Sequence, residues 1–295
     1  MAEQKAHVNG IEIAYETIGD PSNPPLLLVM GLSMQLIHWD LELCEQLAER
    51  GFWVIRFDNR DSGHSTQIDA PVPNLRRAML GMRVEAPYRL SDMADDAFGL
   101  MDHLDIEAAH VVGASMGGMI AQTMAINRPE RVLSLTSIMS TTGDRRAGLP
   151  KLRVFSVLMR RAPQDREGYI ESFMRTFKLI GSPGFPFDEE RGRELAAASY
   201  DRGHQSAGTG RQLAAILTSG DRTLRLRSLK LPATVIHGQA DPLVPFRGGR
   251  ATAAAIPDAR LIAIPGMGHD LPREVWPQLV DAVVETAGRA ATPVV

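Results

Sequence analysis

The run Leu26-Leu27-Leu28-Val29-Met30 is apolar at every position and too short for a helix, so it predicts a strand covered by other elements on both faces. Phe52-Trp53-Val54-Ile55-Arg56-Phe57 reads as the next strand, and further apolar strands are expected at 108–112, 131–137, 232–237 and 260–264. Helical spacing fills the intervals at 39–50 (Trp39, Leu41, Leu43, Leu47), at 91–104 with Ser91 as a cap, and at 117–127, 246–255 and 272–287. Near the start, Asn9-Gly10 forms a turn between Val8 and Ile11, and Ile11, Ile13 and Tyr15 alternate with polar neighbours, which predicts a β-hairpin. Strands and helices alternating in this way predict an α/β chain: a mostly parallel, eight-stranded sheet with helices on both faces.

Two segments interrupt the rhythm. Residues 66–90 carry Pro71, Pro73 and Pro87 around an arginine pair, and predict a long excursion with one short helix. Residues 141–228 show helical periodicity (Leu152, Phe155, Leu158, Met159; Tyr169, Ile170, Phe173, Met174, Phe177; Leu213, Ile216, Leu217), divided by Gly-Ser-Pro-Gly-Phe-Pro at 181–186. No apolar strand stands out there. The expected organisation is a core of 1–140 and 229–295 with a helical cap inserted at 141–228, and a chain of 295 residues is long enough for both.

The balance of 32 Lys and Arg against 35 Asp and Glu lacks the basic footprint of a nucleic-acid binder. No run approaches 18 apolar residues, so no membrane span is expected. Met1 to His7 contains no apolar signal core, and the expected location is the cytoplasm. A single cysteine, Cys44, excludes an intramolecular disulfide framework and a cysteine-based zinc site.

Chemistry enters at Gly113-Ala114-Ser115-Met116-Gly117, between a predicted strand and a predicted helix. A bare match to this pattern occurs by chance, but in this setting the two glycines permit a tight strand-to-helix turn that lifts the Ser115 hydroxyl above the sheet edge. A serine needs a base within hydrogen-bond reach and a carboxylate to orient that base. Asp241 falls just after the strand 232–237, and His269 just after the strand 260–264.

These pieces resemble the α/β-hydrolase superfamily over nearly the whole chain: the elbow at 113–117, His237-Gly238-x-x-Asp241-x-x-Val244, Gly266-x-Gly268-His269, and Asp58-x-Arg60-x-x-Gly63-x-Ser65. Leu28-Val29-Met30-Gly31 and Arg56-Phe57-Asp58-Asn59-Arg60-Asp61 are most similar to the aclacinomycin-methylesterase-like group of small serine esterases. The resemblance implies a catalytic triad of Ser115, Asp241 and His269, an oxyanion hole from the backbone N–H groups of Leu32 and Met116, and cleavage of a small-molecule carboxylic ester through an acyl-enzyme, without metal or organic cofactor. Many members carry His-Gly where this chain has Met30-Gly31, a departure that removes a polar anchor of the loop and leaves its backbone donor. Lactone opening, C–C hydrolysis or a perhydrolase reaction would use the same machinery. A ligand-binding receptor on the hydrolase scaffold is the reading from another class. A serine at the elbow argues against the dehalogenases and epoxide hydrolases of the superfamily, which use Asp there.

Met30, Gly31, Met34 and Met267 are the candidate substrate-binding residues; with Met116 and Met119 the thioethers suit either an adaptable apolar pocket or an ordinary core. His38 and Trp39 would line the pocket or pack a helix start, and His237 suits a structural role in its His-Gly turn. His103, His110 and His204 are expected at the surface. Asp102 and Asp105 are alternative acids, but they precede Ser115 and are expected at the opposite end of the sheet. Residues 58–65 fit a loop scaffold better than a calcium loop, with Arg60 paired to a carboxylate. Arg145, Arg146, Arg160 and Arg161 would attract an acidic substrate or simply be solvated.

Overall fold

The computed structural model describes residues 2–80, 82–148, 154, 163–203 and 206–290. Eight strands form one sheet: β1 (Gln4–Val8), β2 (Ile11–Ile18), β3 (Pro25–Val29), β4 (Trp53–Phe57), β5 (Ala109–Ala114), β6 (Val132–Ile138), β7 (Ala233–Gly238) and β8 (Arg260–Ile264), in the order β1-β2-β4-β3-β5-β6-β7-β8. β1 and β2 pair antiparallel across the Asn9-Gly10 turn, whose two residues both have positive φ, and β2 joins β4 antiparallel. From β4 to β8 every pairing is parallel.

The apolar runs have a direct cause. Leu27 and Val29 of β3 face one core, shared with α2 (Leu90–His103), α3 (Met116–Asn127) and the end of α7 (Phe246–Ala255). Leu26 and Leu28 face the other, built by α1 (Leu41–Glu49) and α8 (Trp276–Gly288). Both faces are dry, so no strand position along Leu26–Val29 tolerates a polar side chain.

Helix ends differ slightly from the periodicity. α2 begins at Leu90, one residue before the expected Ser91 boundary, because Asp92 rather than Ser91 closes its first turn by accepting the Arg89 backbone N–H at 2.7 Å. His110 is a correction: it is buried rather than at the surface, because β5 is covered on both faces. Its Nδ1 lies 2.8 Å from the Ser134 hydroxyl on β6.

β3 sits where the strand order reverses, with β4 on one side and β5 on the other. Loops leaving the carboxyl ends of β3 and β5 therefore flank a crevice, the place where open α/β sheets bind ligands. Among the described residues of the excursion 66–90 there is one short helix, Leu75–Met79, as expected. Between β6 and β7 the described residues form no strand. They form α4 (Arg166–Ile180), α5 (Glu189–Asp201) and α6 (Ser206–Thr218), with short helical turns at Arg145–Gly148 and Thr223–Leu226. This segment leaves and returns at one point: the Arg222 N–H donates to Thr142 O at 2.8 Å and its guanidinium to Thr141 O at 2.9 Å. Tyr169, Ile170, Phe173, Met174 and Ala196 give α4 and α5 a small core of their own. Leu152, Phe155, Leu158, Met159, Arg160, Arg161 and His204 lie outside the described residues. Among the described residues no helix is long and apolar enough to cross a membrane.

Candidate active site

Ser115, Asp241 and His269 come from the carboxyl ends of β5, β7 and β8 and meet at one edge of the sheet. The Ser115 hydroxyl lies 2.9 Å from His269 Nε2, and His269 Nδ1 lies 2.7 Å from Asp241 Oδ2. A carboxylate can only accept, so the imidazole proton sits on Nδ1 and Nε2 is free to accept from the hydroxyl. Asp241 is buried, and its other oxygen accepts the N–H groups of Leu243 at 2.8 Å and Val244 at 2.9 Å. Burial alone would raise its pKa. The His269 and His237 imidazoles beside it outweigh burial and hold it at about 2. His237, fully buried, donates from Nε2 to Val244 O at 2.8 Å, and the same nitrogen stands 3.5 Å from Asp241 Oδ2.

The backbone around Ser115 is forced. Its φ of 56° and ψ of −118° are unfavourable for a residue with a Cβ, a strain of order 1–3 kcal/mol. Three hydrogen bonds hold it: Ser115 N–H to Ile138 O at 2.9 Å, Ser140 Oγ–H to Ser115 O at 2.8 Å, and Met119 N–H to Ser115 O at 3.3 Å. Two neighbours must be glycine. A Cβ on Gly113 would overlap the Gly117 carbonyl, and one on Gly117 would overlap the Val29 carbonyl. The resulting turn packs α3 directly against the end of β3.

The loop after β3 passes close by, with a Cβ on Gly31 only 3.2 Å from that of Ser115. Among the described residues the backbone N–H groups of Leu32 and Met116 have no hydrogen-bond acceptor. The loop has ample support without a histidine at position 30. Asn59 donates to Met30 O at 2.9 Å, Gln212 accepts from Ser33 N–H at 2.7 Å, Asp58 accepts from Leu36 N–H at 2.6 Å, and Gln35 donates to Ser199 O at 2.7 Å.

A hydroxyl, an imidazole and a carboxylate in series beside two free N–H groups are equipped for acyl transfer. A family model described as alpha/beta hydrolase fold matches residues 24–272. The chain belongs to the α/β-hydrolase fold family. Rhodomycin D methylesterase of Streptomyces sp. (strain C5) is 32% identical over 299 residues, covering 94% of this chain and 95% of the relative. The rhodomycin D methylesterase of Streptomyces peucetius has the same identity and coverage. The crystal structure of the enol-lactonase from Burkholderia xenovorans LB400 has the same fold, with a TM-score of 0.73 at 24% identity, and the match covers 97% of this chain and 100% of that one. As a member of this family the chain is a hydrolase.

Within this α/β-hydrolase the methionines divide. Met30 and Met267 are buried in the core beneath α1 and α8, and Met116 and Met119 in the opposite core. Met34 alone of these is partly exposed, and it packs against both the sheet core and the α4–α5 cluster. His38 is wedged beside Phe173 of α4, with ring centroids 5.9 Å apart, and Trp39 is fully buried. Asp102 pairs with Arg131 ahead of β6, at the end of the sheet away from Ser115. Arg60 pairs with buried Asp96, as the loop-scaffold reading requires. Among the described residues no group of three His, Cys, Asp or Glu side chains could hold a metal.

Sequence reasoning missed Gln212 and Ser140. Gln212 lies far along the chain in a helix with no motif, and Ser140 follows β6 as one polar residue among several. Neither carries a local signal.

Proposed function

We propose that the protein is a serine esterase of the carboxylesterase or methylesterase type, that Ser115, His269 and Asp241 form its catalytic triad, and that residues 141–228 form a cap over the site. The observation that carries this reading is the imidazole of His269, which stands 2.9 Å from Ser115 Oγ and 2.7 Å from Asp241 Oδ2. Ser115 Oγ attacks the ester carbonyl while His269 Nε2 takes its proton. The oxyanion is held by the Leu32 and Met116 N–H groups. His269 then returns the proton to the departing alcohol, leaving an acyl-Ser115. Water, deprotonated by the same imidazole, releases the carboxylic acid. Asp241 keeps the imidazole in the required tautomer and balances its transient positive charge.

The substrate class is a small-molecule carboxylic ester. The name of the Streptomyces relatives points to a methyl ester. The partly exposed Met34, between the sheet core and the aromatic residues of α4, supports an apolar acid portion.

The direct test is methanol release from methyl esters of aliphatic and aromatic acids, run beside p-nitrophenyl esters of graded acyl length and a set of lactones. Turnover of the esters that disappears in Ser115→Ala supports the reading. Turnover of lactones alone would replace it with a lactonase, and no turnover of any carbonyl substrate would sink it.

A further inference from the structure

The Gly181-Ser182-Pro183-Gly184 stretch that divides the helices between β6 and β7 lies directly against the loop that carries His269. Four hydrogen bonds join the two. The His269 backbone N–H donates to the carbonyl of Ile180, the last residue of α4, at 2.7 Å. Gly184 N–H donates to Gly266 O at 2.9 Å. Ser182 Oγ accepts the Gly268 N–H at 2.8 Å and donates to the carboxylate of Asp270. Ser182 therefore spans the residues on either side of His269 without touching the imidazole.

Packing makes the approach obligatory. A Cβ on Gly184 would stand 2.7 Å from Gly266 Cα, and one on Gly268 would overlap the Gly181 carbonyl. At Gly184–Gly266 and at Gly268–Gly181 backbone meets backbone, so a displacement of either loop is transmitted to the other. The sheet supports the His269 loop from below, through Ala240 N–H to Met267 O at 3.0 Å. The Gly268 and His269 N–H groups are held by the inserted segment, while the Gly268 carbonyl packs against Gly238 of β7. Asp270 is itself partly buried. Burial raises its carboxyl pKa, and the Ser182 hydroxyl works against that rise.

We propose that Ser182 is a positioning residue for His269: by bridging the Gly268 N–H and the Asp270 carboxylate it fixes the backbone that aims the imidazole at Ser115 and Asp241. The end of α4 thus does more than roof the site. It completes the mounting of the base. This inference rests on the reading of His269 as the general base.

The test uses the full chain with Ser182→Ala and the hydroxyl-retaining Ser182→Thr. Three quantities are read for each: kcat and KM on p-nitrophenyl acetate, the rate of Ser115 phosphonylation by diisopropyl fluorophosphate, and Tm. Misaiming the base slows every reaction of Ser115, including that with a small inhibitor that needs no cap contacts. Ser182→Ala, which loses both hydrogen bonds of the bridge, should lower kcat and the phosphonylation rate together by roughly tenfold, with KM within about twofold. Ser182→Thr should recover most of both. If Ser182→Ala does not fold, Ser182→Cys, with its longer and weaker bonds, is read in the same way. Unchanged phosphonylation in Ser182→Ala, or a rise in KM at constant kcat, would reduce Ser182 to a structural pin and overturn the inference while leaving the esterase reading intact. A wild type that does not react at Ser115 at all would overturn both.

Discussion

The side chain of Gln212, on α6, accepts the backbone N–H of Ser33 at 2.7 Å, so a helix inserted after β6 fixes the loop after β3. Ser33 has a φ of 62°, left-handed for a residue with a side chain, and Thr209 adds a second tie, hydroxyl to hydroxyl, at 2.7 Å. Gln212 is itself fully buried and spends its amide hydrogens on Arg60 O at 2.8 Å and Ser62 Oγ at 2.9 Å. Every polar atom of this side chain is engaged, so its orientation is fixed.

Gln212→Leu keeps the approximate volume and removes the tie. On the proposed mechanism, Leu32 N–H then loses its aim at the oxyanion. The expected result is a kcat lower by roughly ten- to a hundredfold on a small ester, with KM little changed. A selective rise in KM would show that Gln212 acts on substrate binding instead.

Asp241 gives a sharper test of the triad. Asp241→Asn preserves shape, but the amide turned to offer its N–H toward His269 forces the wrong imidazole tautomer. Turnover should fall by about 10⁴-fold with the far-UV circular dichroism unchanged. Near-wild-type kcat would move the orienting acid elsewhere.

The insertion is fastened to the core by buried ion pairs. Arg211 meets Asp61 through two hydrogen bonds of 2.8 and 2.6 Å, with Tyr88 donating to the same carboxylate at 2.6 Å. Arg202 meets Asp58 at 2.7 Å. Asp61→Ala would leave the buried Arg211 guanidinium with no counter-charge and only the Ala70 carbonyl, at 2.9 Å, as acceptor, which costs about 3–5 kcal/mol. Urea unfolding reads this directly, and a loss below 1 kcal/mol would mean that Arg211 finds water or another acceptor.

Acid stability should report two histidines that the reaction does not use. Burial pushes both His38 and His110 down to about 4, with Arg202 adding to the effect on His38. In the unfolded chain each would titrate near 6.5. The native state therefore refuses protons that the unfolded state accepts. The stability from keeping these rings neutral is complete above about pH 6.5 and is lost as pH falls towards about 4, by up to about 1.4 kcal/mol per pH unit for each ring. His110→Asn removes one ring, so its unfolding free energy should fall less steeply between pH 6.5 and 4.5. Equal slopes in the two proteins would assign the acid lability to other groups.

Much of this architecture is legible in the sequence because local and global signals agree. Leu26 to Met30 is apolar throughout since both faces of β3 are dry, and Gly113 and Gly117 are glycines since carbonyl oxygens occupy the space of any Cβ. Ser115, Asp241 and His269 could be named because each lies in a short motif just beyond the end of a recognisable strand. Gln212, Ser182 and Arg211 could not, since each acts across a long sequence gap through a partner that only the folded chain supplies. His110 misled for a related reason: a polar residue in a strand reads as exposed until the neighbouring strand provides Ser134.

The central claim is that Ser115 is a nucleophile activated by His269. Incubation with a fluorophosphonate followed by peptide mass mapping tests it most directly, with Ser115→Ala and His269→Gln as controls. The account predicts a single adduct on the peptide containing Ser115, absent from Ser115→Ala and formed at least a hundredfold more slowly in His269→Gln, given that general-base assistance contributes roughly 10²–10⁴-fold. Folded protein that stays unlabelled, or that labels equally fast without His269, would contradict it.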